Sequence, residues 1–199
     1  MASIEKRCLD LSVALLSLVV LAPLLLVTAL AVKCTSRGPV FHRRRVVGLG
    51  GQAFDALKFR TMRVDADRIL QADAELWAAY VANFKLPRDP RITPIGRVLR
   101  RFSLDELPQL VNVLRGEMSL VGPRMVTAPE LERYGAHVQT LLSVRPGITG
   151  LWQVSGRQTT TYERRVELDL HYITHWSLLL DLRILLKTPL VALRGEGAY

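Results

Sequence analysis

Hydrophobic patterning along the chain is uneven. From Leu11 to Val32 there are 22 residues without a charge, and 18 of them are apolar. As one helix this run would measure about 33 Å, the thickness of a bilayer. Pro23 sits near its middle, where it removes the hydrogen bond to the Val19 carbonyl and crowds the preceding turn. Lys6 and Arg7 stand before the run, and Lys33, Arg37, Arg43, Arg44 and Arg45 after it. Positive charge favours the cytoplasm, so two basic ends and a central breaker fit a helix that enters, bends and returns to the same face. A single span with a tolerated proline kink fits as well. Cleavage as a signal peptide is disfavoured, because the run is too long and Glu5 and Asp10 dilute its basic start. The expected division is residues 1–34 as anchor and 35–199 as a cytoplasmic domain.

Beyond the anchor the periods change. Thr35 to Gly51 reads as loop and short strands, with Gly38-Pro39 and Gly50-Gly51 as turns. Phe54 to Met62 suits a strand, and Asp65 to about Phe84 an amphipathic helix opened by a capping Asp. A loop with Pro87 and Pro90 follows. Thr93-Pro94 offers an N-cap and a first-turn proline for a short helix through Arg101. A second helix is expected from Ser103 to Gly116. Met118 to Gly156, rich in Gly, Pro and β-branched residues, predicts loops and short strands. Tyr162 to Lys187 predicts one long helix ended by Pro189, with Leu168, Tyr172, Trp176, Leu179, Leu182 and Leu186 as its apolar stripe. That stripe suits either a core helix or one lying in a membrane interface. The fold class expected is α/β, mostly helical, with short strands and long ordered loops.

Composition narrows the classes. With 199 residues, 49% apolar and 23% charged, the chain is neither disordered nor fibrous. Cys8 and Cys34 are too few for a disulfide framework or a four-ligand zinc site, and on the cytoplasmic side they stay reduced. The net charge of +9 is concentrated from Lys33 to Arg63, where eight basic groups face Asp55 alone. Such a stretch beside an apolar run is drawn to anionic headgroups, by about 1 kcal/mol per basic group. It has no recognition-helix pattern or interleaved aromatics, which disfavours nucleic acid.

Candidate chemistry concentrates in Arg100-Arg101-Phe102-Ser103-Leu104-Asp105-Glu106-Leu107-Pro108. With Ser103 as N-cap, Asp105 and Glu106 would occupy the first turn of a helix, whose dipole would keep them ionised. An ionised carboxylate can attack phosphorus or bind Mg²⁺. The competing reading is a capping box in which Glu106 only satisfies the Ser103 amide. Pro108 at a fifth helical position argues against a purely structural cap, and the flanking arginines suit a phosphate and metal centre. Gly122-Pro123-Arg124 and Arg145-Pro146-Gly147 each place an arginine on a stiff turn, suited to a pyrophosphate or equally to solvent. The chain contains no phosphate-binding or dinucleotide glycine loop and no zinc spacing, and its four histidines suggest no triad.

Taken in order, several segments resemble one family. They are Gly38-Pro39-Val40-Phe41, Lys58-Phe59-Arg60-Thr61-Met62, Ser103 to Leu110, Met118 to Arg124, Arg145 to Gly150, Trp152 to Arg157 and Glu167-Leu168-Asp169. The set is similar to the bacterial sugar transferases, monotopic polyprenyl-phosphate phosphoglycosyl transferases that prime exopolysaccharide, capsule and O-antigen synthesis, and it covers essentially the whole chain.

This resemblance implies that Asp105 attacks the β-phosphate of a UDP-sugar, expels UMP and carries a phosphosugar that passes to undecaprenyl phosphate. Glu106, with Asp105, would hold Mg²⁺ or Mn²⁺; Arg100 and Arg124 would neutralise phosphate oxygens, with Arg145, Lys58 and Arg60 completing the substrate-binding set. It also implies a re-entrant anchor broken at Pro23, in a bacterial inner membrane with the catalytic domain on its cytoplasmic face. The expected partners are UDP-sugar, undecaprenyl phosphate and membrane lipid, with no nucleic acid; a homodimer is left open. The alternatives are a metal-dependent lipid pyrophosphate hydrolase and a non-catalytic membrane adaptor. Ala22, Val46, Met125 and Gln158 depart from the usual residues of the family. No motif reads the sugar, and Thr159 to Tyr162 is only a candidate region for it.

Overall fold

The computed structural model describes residues 3–83, 86, 89–156 and 160–195. The apolar run forms two helices, α1 (Ile4–Val20) and α2 (Ala22–Thr35), bent by 63°. The break falls at Leu21, and Pro23 lies in the first turn of α2, where a missing N–H is tolerated. Among the described residues no single helix is long and apolar enough to cross a membrane.

Amphipathicity in α1 is inverted. Lys6, Asp10 and Ala14, four residues apart, are buried, whereas Leu15, Leu16, Val19 and Val20 are exposed. Burial of the polar side is possible because each group meets a partner. Asp10 accepts from the Ser119 hydroxyl at 3.1 Å and the Leu120 amide at 3.0 Å. Arg7 donates to the Val113 and Leu114 carbonyls at 2.7 and 3.1 Å, closing the open end of another helix.

The chain then forms an antiparallel hairpin, β1 (Phe41–Val47) and β2 (Ala53–Phe59), in register from Phe41↔Phe59 to Val47↔Ala53. Where one amphipathic helix was expected from Asp65, there are two, α3 (Ala66–Gln71) and α4 (Ala74–Asn83). Asp65 makes no capping bond, because its carboxylate is drawn to Arg63. Phe84 and Pro87 lie outside the described residues. Helix α5 (Pro94–Arg101) begins as expected, with Thr93 Oγ1 accepting from the Gly96 amide at 3.0 Å.

A single 3₁₀ turn (Leu104–Glu106) leads to α6 (Gln109–Arg115), which ends at Gly116 with a left-handed φ of 83°. The helix therefore starts after Pro108 rather than at Ser103. A short parallel pair, β3 (Ser119–Val121) and β4 (Gly147–Thr149), follows. A Cβ at Gly147 would lie 2.1 Å from the Gly122 nitrogen, so this close approach needs glycine. Between the strands lie a 3₁₀ stretch (Pro129–His137) and α7 (Val138–Leu142), more helix than the Gly/Pro-rich sequence suggested.

The last expected helix is also two, α8 (Tyr162–Thr174) and α9 (Leu178–Arg194), with Ser177 capping the second. Pro189 lies inside α9 and does not end it. The apolar stripe divides at this break. Leu168 and Tyr172 are buried and the Trp176 indole donates inward to Asp181, whereas Leu179, Leu182, Leu186, Leu190 and Leu193 face outward. The main core joins Val46, Phe54 and Ala56 of the hairpin to Leu110 and Val113 of α6, Leu120 and Val121 of β3, and Tyr172 and Ile184. Overall the fold is mostly helical with two small sheets.

Candidate active site

Three elements converge on Asp105 and Glu106. Strand β2 delivers Lys58, the end of α5 delivers Arg100, and the turn after β3 delivers Arg124. Ser103, just before the pair, has φ 56° and ψ 23°, and among the described residues no other non-glycine residue has a positive φ. Such a conformation costs on the order of 1 kcal/mol or more and clusters at functional sites. Its amide donates to the Arg100 carbonyl at 3.1 Å, so Glu106 does not close a capping box.

Glu106 instead faces cations. Its Oε1 accepts from Lys58 Nζ at 2.6 Å and Arg124 Nη2 at 2.6 Å, and its Oε2 from Arg124 Nη1 at 3.0 Å. Burial alone would push the Glu106 carboxyl up, but the Arg124 guanidinium and Lys58 ammonium outweigh it and hold it far below the usual range. The reciprocal field of Glu106 keeps Arg124 charged despite its burial.

Asp105 is different. It is buried, and among the described residues no side chain donates a hydrogen bond to it, although the Lys58, Arg100 and Arg124 charges lie within reach. Burial pushes its carboxyl up to about 6, opposed by Lys58 and reinforced by the negative charge of Glu106. This reverses the expectation of a carboxyl lowered by a helix dipole. Only one 3₁₀ turn is present, preceded by a left-handed residue, and desolvation exceeds what so short an array of peptides supplies. Arg100 donates its Nε to Thr61 Oγ1 at 2.9 Å and lies within the electrostatic reach of Asp105.

Not every expected residue reaches this place. Arg60 is buried elsewhere, donating to the Ser36 and Arg37 carbonyls at 2.8 Å and to Ser36 Oγ at 2.7 Å, so it ties down the exit of α2. Arg145 gives its Nε to the Gly116 carbonyl at 2.7 Å, at the far end of α6 from Asp105. Both donate to backbone carbonyls, Arg60 from a buried position and Arg145 from a half-buried one. In the candidate sugar-reading stretch, Thr160 accepts from the Trp152 indole, Thr161 caps α8 and Arg165 covers the Tyr162 ring; Gln158 and Thr159 lie outside the described residues. Sequence reasoning missed Thr61, which orients Arg100 from 39 positions away. It also missed Tyr134 and Arg165, which lie behind Arg124. No local pattern marks residues that act across such separations.

A divalent cation fits this arrangement in a limited way. Among the described residues no three His, Cys, Asp or Glu side chains form a cage. Among the described residues the Asp105 carboxylate accepts no hydrogen bond, and Glu106 Oε2 accepts only the Arg124 Nη1 bond. Such a pair suits Mg²⁺, which binds one or two carboxylates and completes its shell with water and substrate phosphates.

Residues 1–195 match the family model described as bacterial sugar transferase. The chain is 46% identical over 200 residues to the exopolysaccharide production protein ExoY of Sinorhizobium fredii, covering 98% of this chain and 88% of that one. It is 44% identical over 199 residues to the undecaprenyl-phosphate galactose phosphotransferase of Salmonella typhimurium, again across 98% of this chain but only 41% of the relative. To the UDP-glucose:undecaprenyl-phosphate glucose-1-phosphate transferase of Caulobacter vibrioides it is 43% identical over 206 residues, 98% of this chain and 72% of the relative. A whole-length family match, around an arginine- and lysine-held carboxylate pair, means that this chain belongs to the bacterial sugar transferase family.

Proposed function

We propose that the chain transfers a sugar 1-phosphate from a UDP-sugar to undecaprenyl phosphate through a phosphosugar carried on Asp105, releasing UMP and priming an exopolysaccharide or related surface polymer. The observation that carries this reading is the inequality of the two carboxylates. Glu106 is neutralised by a fork and an ammonium, whereas the proton affinity of Asp105 beside it is governed by desolvation, which outweighs the nearby cations. At pH 7 a carboxyl with a pKa near 6 is about nine-tenths ionised, yet more basic and less solvated than an ordinary aspartate. The substrate class is supported by the names of the Salmonella and Caulobacter relatives.

In the first step an Asp105 oxygen bonds to the β-phosphorus as the bond from that phosphorus to the bridging oxygen breaks, and UMP departs with the electron pair. In the second, an oxygen of undecaprenyl phosphate bonds to the same phosphorus and Asp105 leaves as a carboxylate. Lys58, Arg100 and Arg124 surround the phosphoryl oxygens with fixed positive charge, where preorganised groups lower the barrier most. Asp105 and Glu106 would be the residues to hold Mg²⁺ or Mn²⁺, which would supply further positive charge to offset the diphosphate.

The bent pair α1–α2 serves as a re-entrant anchor in this reading, with the domain from residue 35 on the cytoplasmic face. Outward Leu15, Leu16, Val19, Val20, Leu26, Val27 and Leu30 support it, as does the basic stretch that follows. With Cys8 and Cys34 replaced, Glu5→Cys and Gln52→Cys are both shielded from an outside thiol reagent in intact cells; labelling at position 5 alone means a full span.

The decisive experiment measures UMP release from UDP-sugars with and without undecaprenyl phosphate, and weighs the peptide containing Asp105 after exposure to UDP-sugar alone. A hexose-phosphate adduct on that peptide is expected. Turnover without the adduct overturns the two-step route, and phosphate release from a lipid pyrophosphate without UMP release identifies a hydrolase.

A further inference from the structure

The Arg124 fork on Glu106 raises the question of what places Arg124. Its own peptide is gripped from both sides by α8. The Arg124 amide is directed at Asp169 Oδ1 at 3.4 Å, and its carbonyl accepts from Arg165 Nη2 at 3.5 Å. Residues 165 and 169 lie one helical turn apart and therefore share a face.

Neither is free to move. Asp169 is fully buried, and its Oδ2 accepts the Tyr134 hydroxyl at 2.8 Å with Arg165 Nε 3.7 Å away. The Arg165 guanidinium is stacked against the Trp152 and Tyr162 rings, at 5.1 and 5.0 Å, and Tyr134 meets Tyr162 edge to face at 6.2 Å. Burial pushes the Asp169 carboxyl up to about 6 and raises the Tyr134 hydroxyl well above its ordinary value, so Tyr134 remains a donor. A buried pair of this kind adds little stability over an apolar replacement; its value lies in fixing a register.

We infer that Asp169 and Arg165, braced by Tyr134, are positioning residues that hold the Arg124 peptide so that its guanidinium meets Glu106 as a two-pronged fork. The catalytic consequence rests on the transferase reading; the placement of Arg124 does not. Displacing a charge-bearing group by about 1 Å can cost a hundredfold in rate, so the brace is functional without touching substrate.

Two measurements on the full chain in lipid nanodiscs test this. In the first, ¹⁵N NMR of the arginine side chains, assigned with Arg124→Lys, should show separate terminal nitrogens for Arg124 because a fork stops rotation. Asp169→Asn, and to a lesser degree Tyr134→Phe, should merge them without changing the far-ultraviolet circular dichroism. In the second, Asp169→Asn should lower UMP release about 10- to 100-fold in the wild-type background but by no more than about twofold when Arg124 is already Lys, because coupled residues are not additive. Unchanged Arg124 signals in both variants, or losses that multiply in the double variant, overturn the inference. If Asp169→Asn does not fold, Tyr134→Phe decides alone by the same criteria. If the unaltered protein releases no UMP, the transferase reading fails while the NMR arm still decides the placement of Arg124.

Discussion

Two clusters of buried charge sit in this molecule, and they are finished to different degrees. At the start of α1, Lys6 Nζ lies 2.6 Å from Asp181 Oδ2 and donates also to the Val121 carbonyl at 3.0 Å. Asp181 accepts in addition from the Tyr172 hydroxyl at 2.7 Å and the Trp176 indole at 3.0 Å. Both Asp181 oxygens have partners, and Asp10, buried one turn from Lys6, is satisfied separately by Ser119 and the Leu120 amide. Around Glu106 three cations face two carboxylates, and among the described residues the hydrogen-bond donors go to Glu106 and not to Asp105. A closed cluster holds two elements together. An unclosed one leaves a carboxyl governed by desolvation, at a cost to stability of the kind that clusters at functional sites.

This contrast breaks most visibly at Asp105. Asp105→Asn lowers UMP release by about a thousandfold or more. It also raises the melting temperature, on the order of 5 °C at pH 7.5, because it removes a buried charge whose desolvation outweighs its neighbouring cations. The folded pKa lies above the ordinary value of 3.8, so Asp105 favours folding only while protonated. That stability is full below pH 4 and lost as pH rises through 6, and the advantage of the Asn variant therefore vanishes below pH 4. Paired thermal melts at pH 4 and 7.5 check this, and a variant that melts lower than the parent at 7.5 refutes it.

Glu106→Gln should reduce turnover about a hundredfold. It also removes a negative neighbour that raises the Asp105 carboxyl, so the acid limb of single-turnover UMP release moves below pH 6. A limb that stays in place separates the two carboxylates electrostatically.

Breaking the closed cluster acts on the fold alone. Lys6→Met or Asp181→Leu each costs about 3–5 kcal/mol by stranding a buried charge, and the double variant recovers most of it. Denaturant unfolding measures the loss, with UMP release per folded molecule unchanged. Lys58→Gln withdraws the cation that most favours ionised Asp105, so the acid limb should rise above pH 6. Arg145→Ala has the smallest effect, within about twofold in turnover, since its partner is the Gly116 carbonyl at the remote end of α6.

Elements governed by neighbours in sequence were legible. Thr93-Pro94 starts α5 and Gly116 ends α6, since caps act over three or four residues. The hairpin was placed only in outline, with a strand expected over Phe54–Met62 and short strands within Thr35–Gly51, where β2 runs Ala53–Phe59 and β1 Phe41–Val47. What failed was the joining of periodic segments across breaks with no Gly or Pro signal, at Ala72 and at His175–Ser177. Leu70 is buried beside the first break, and Tyr172 and Asp181 are buried on either side of the second, contacts made by tertiary packing rather than by sequence neighbours.

At the site, the order and identity of the motif residues named the family and singled out Asp105, Glu106, Lys58, Arg100 and Arg124, because residue type determines which groups can bear charge on a phosphoryl transfer. Which carboxylate is neutralised and which is left basic was settled only by folding. Glu106 meets Lys58 from 48 positions away and Arg124 from 18, while Arg60 and Arg145 are led to backbone carbonyls instead. Solvent exclusion and the approach of distant charges set a carboxyl's proton affinity, and both arise only when the chain closes on itself.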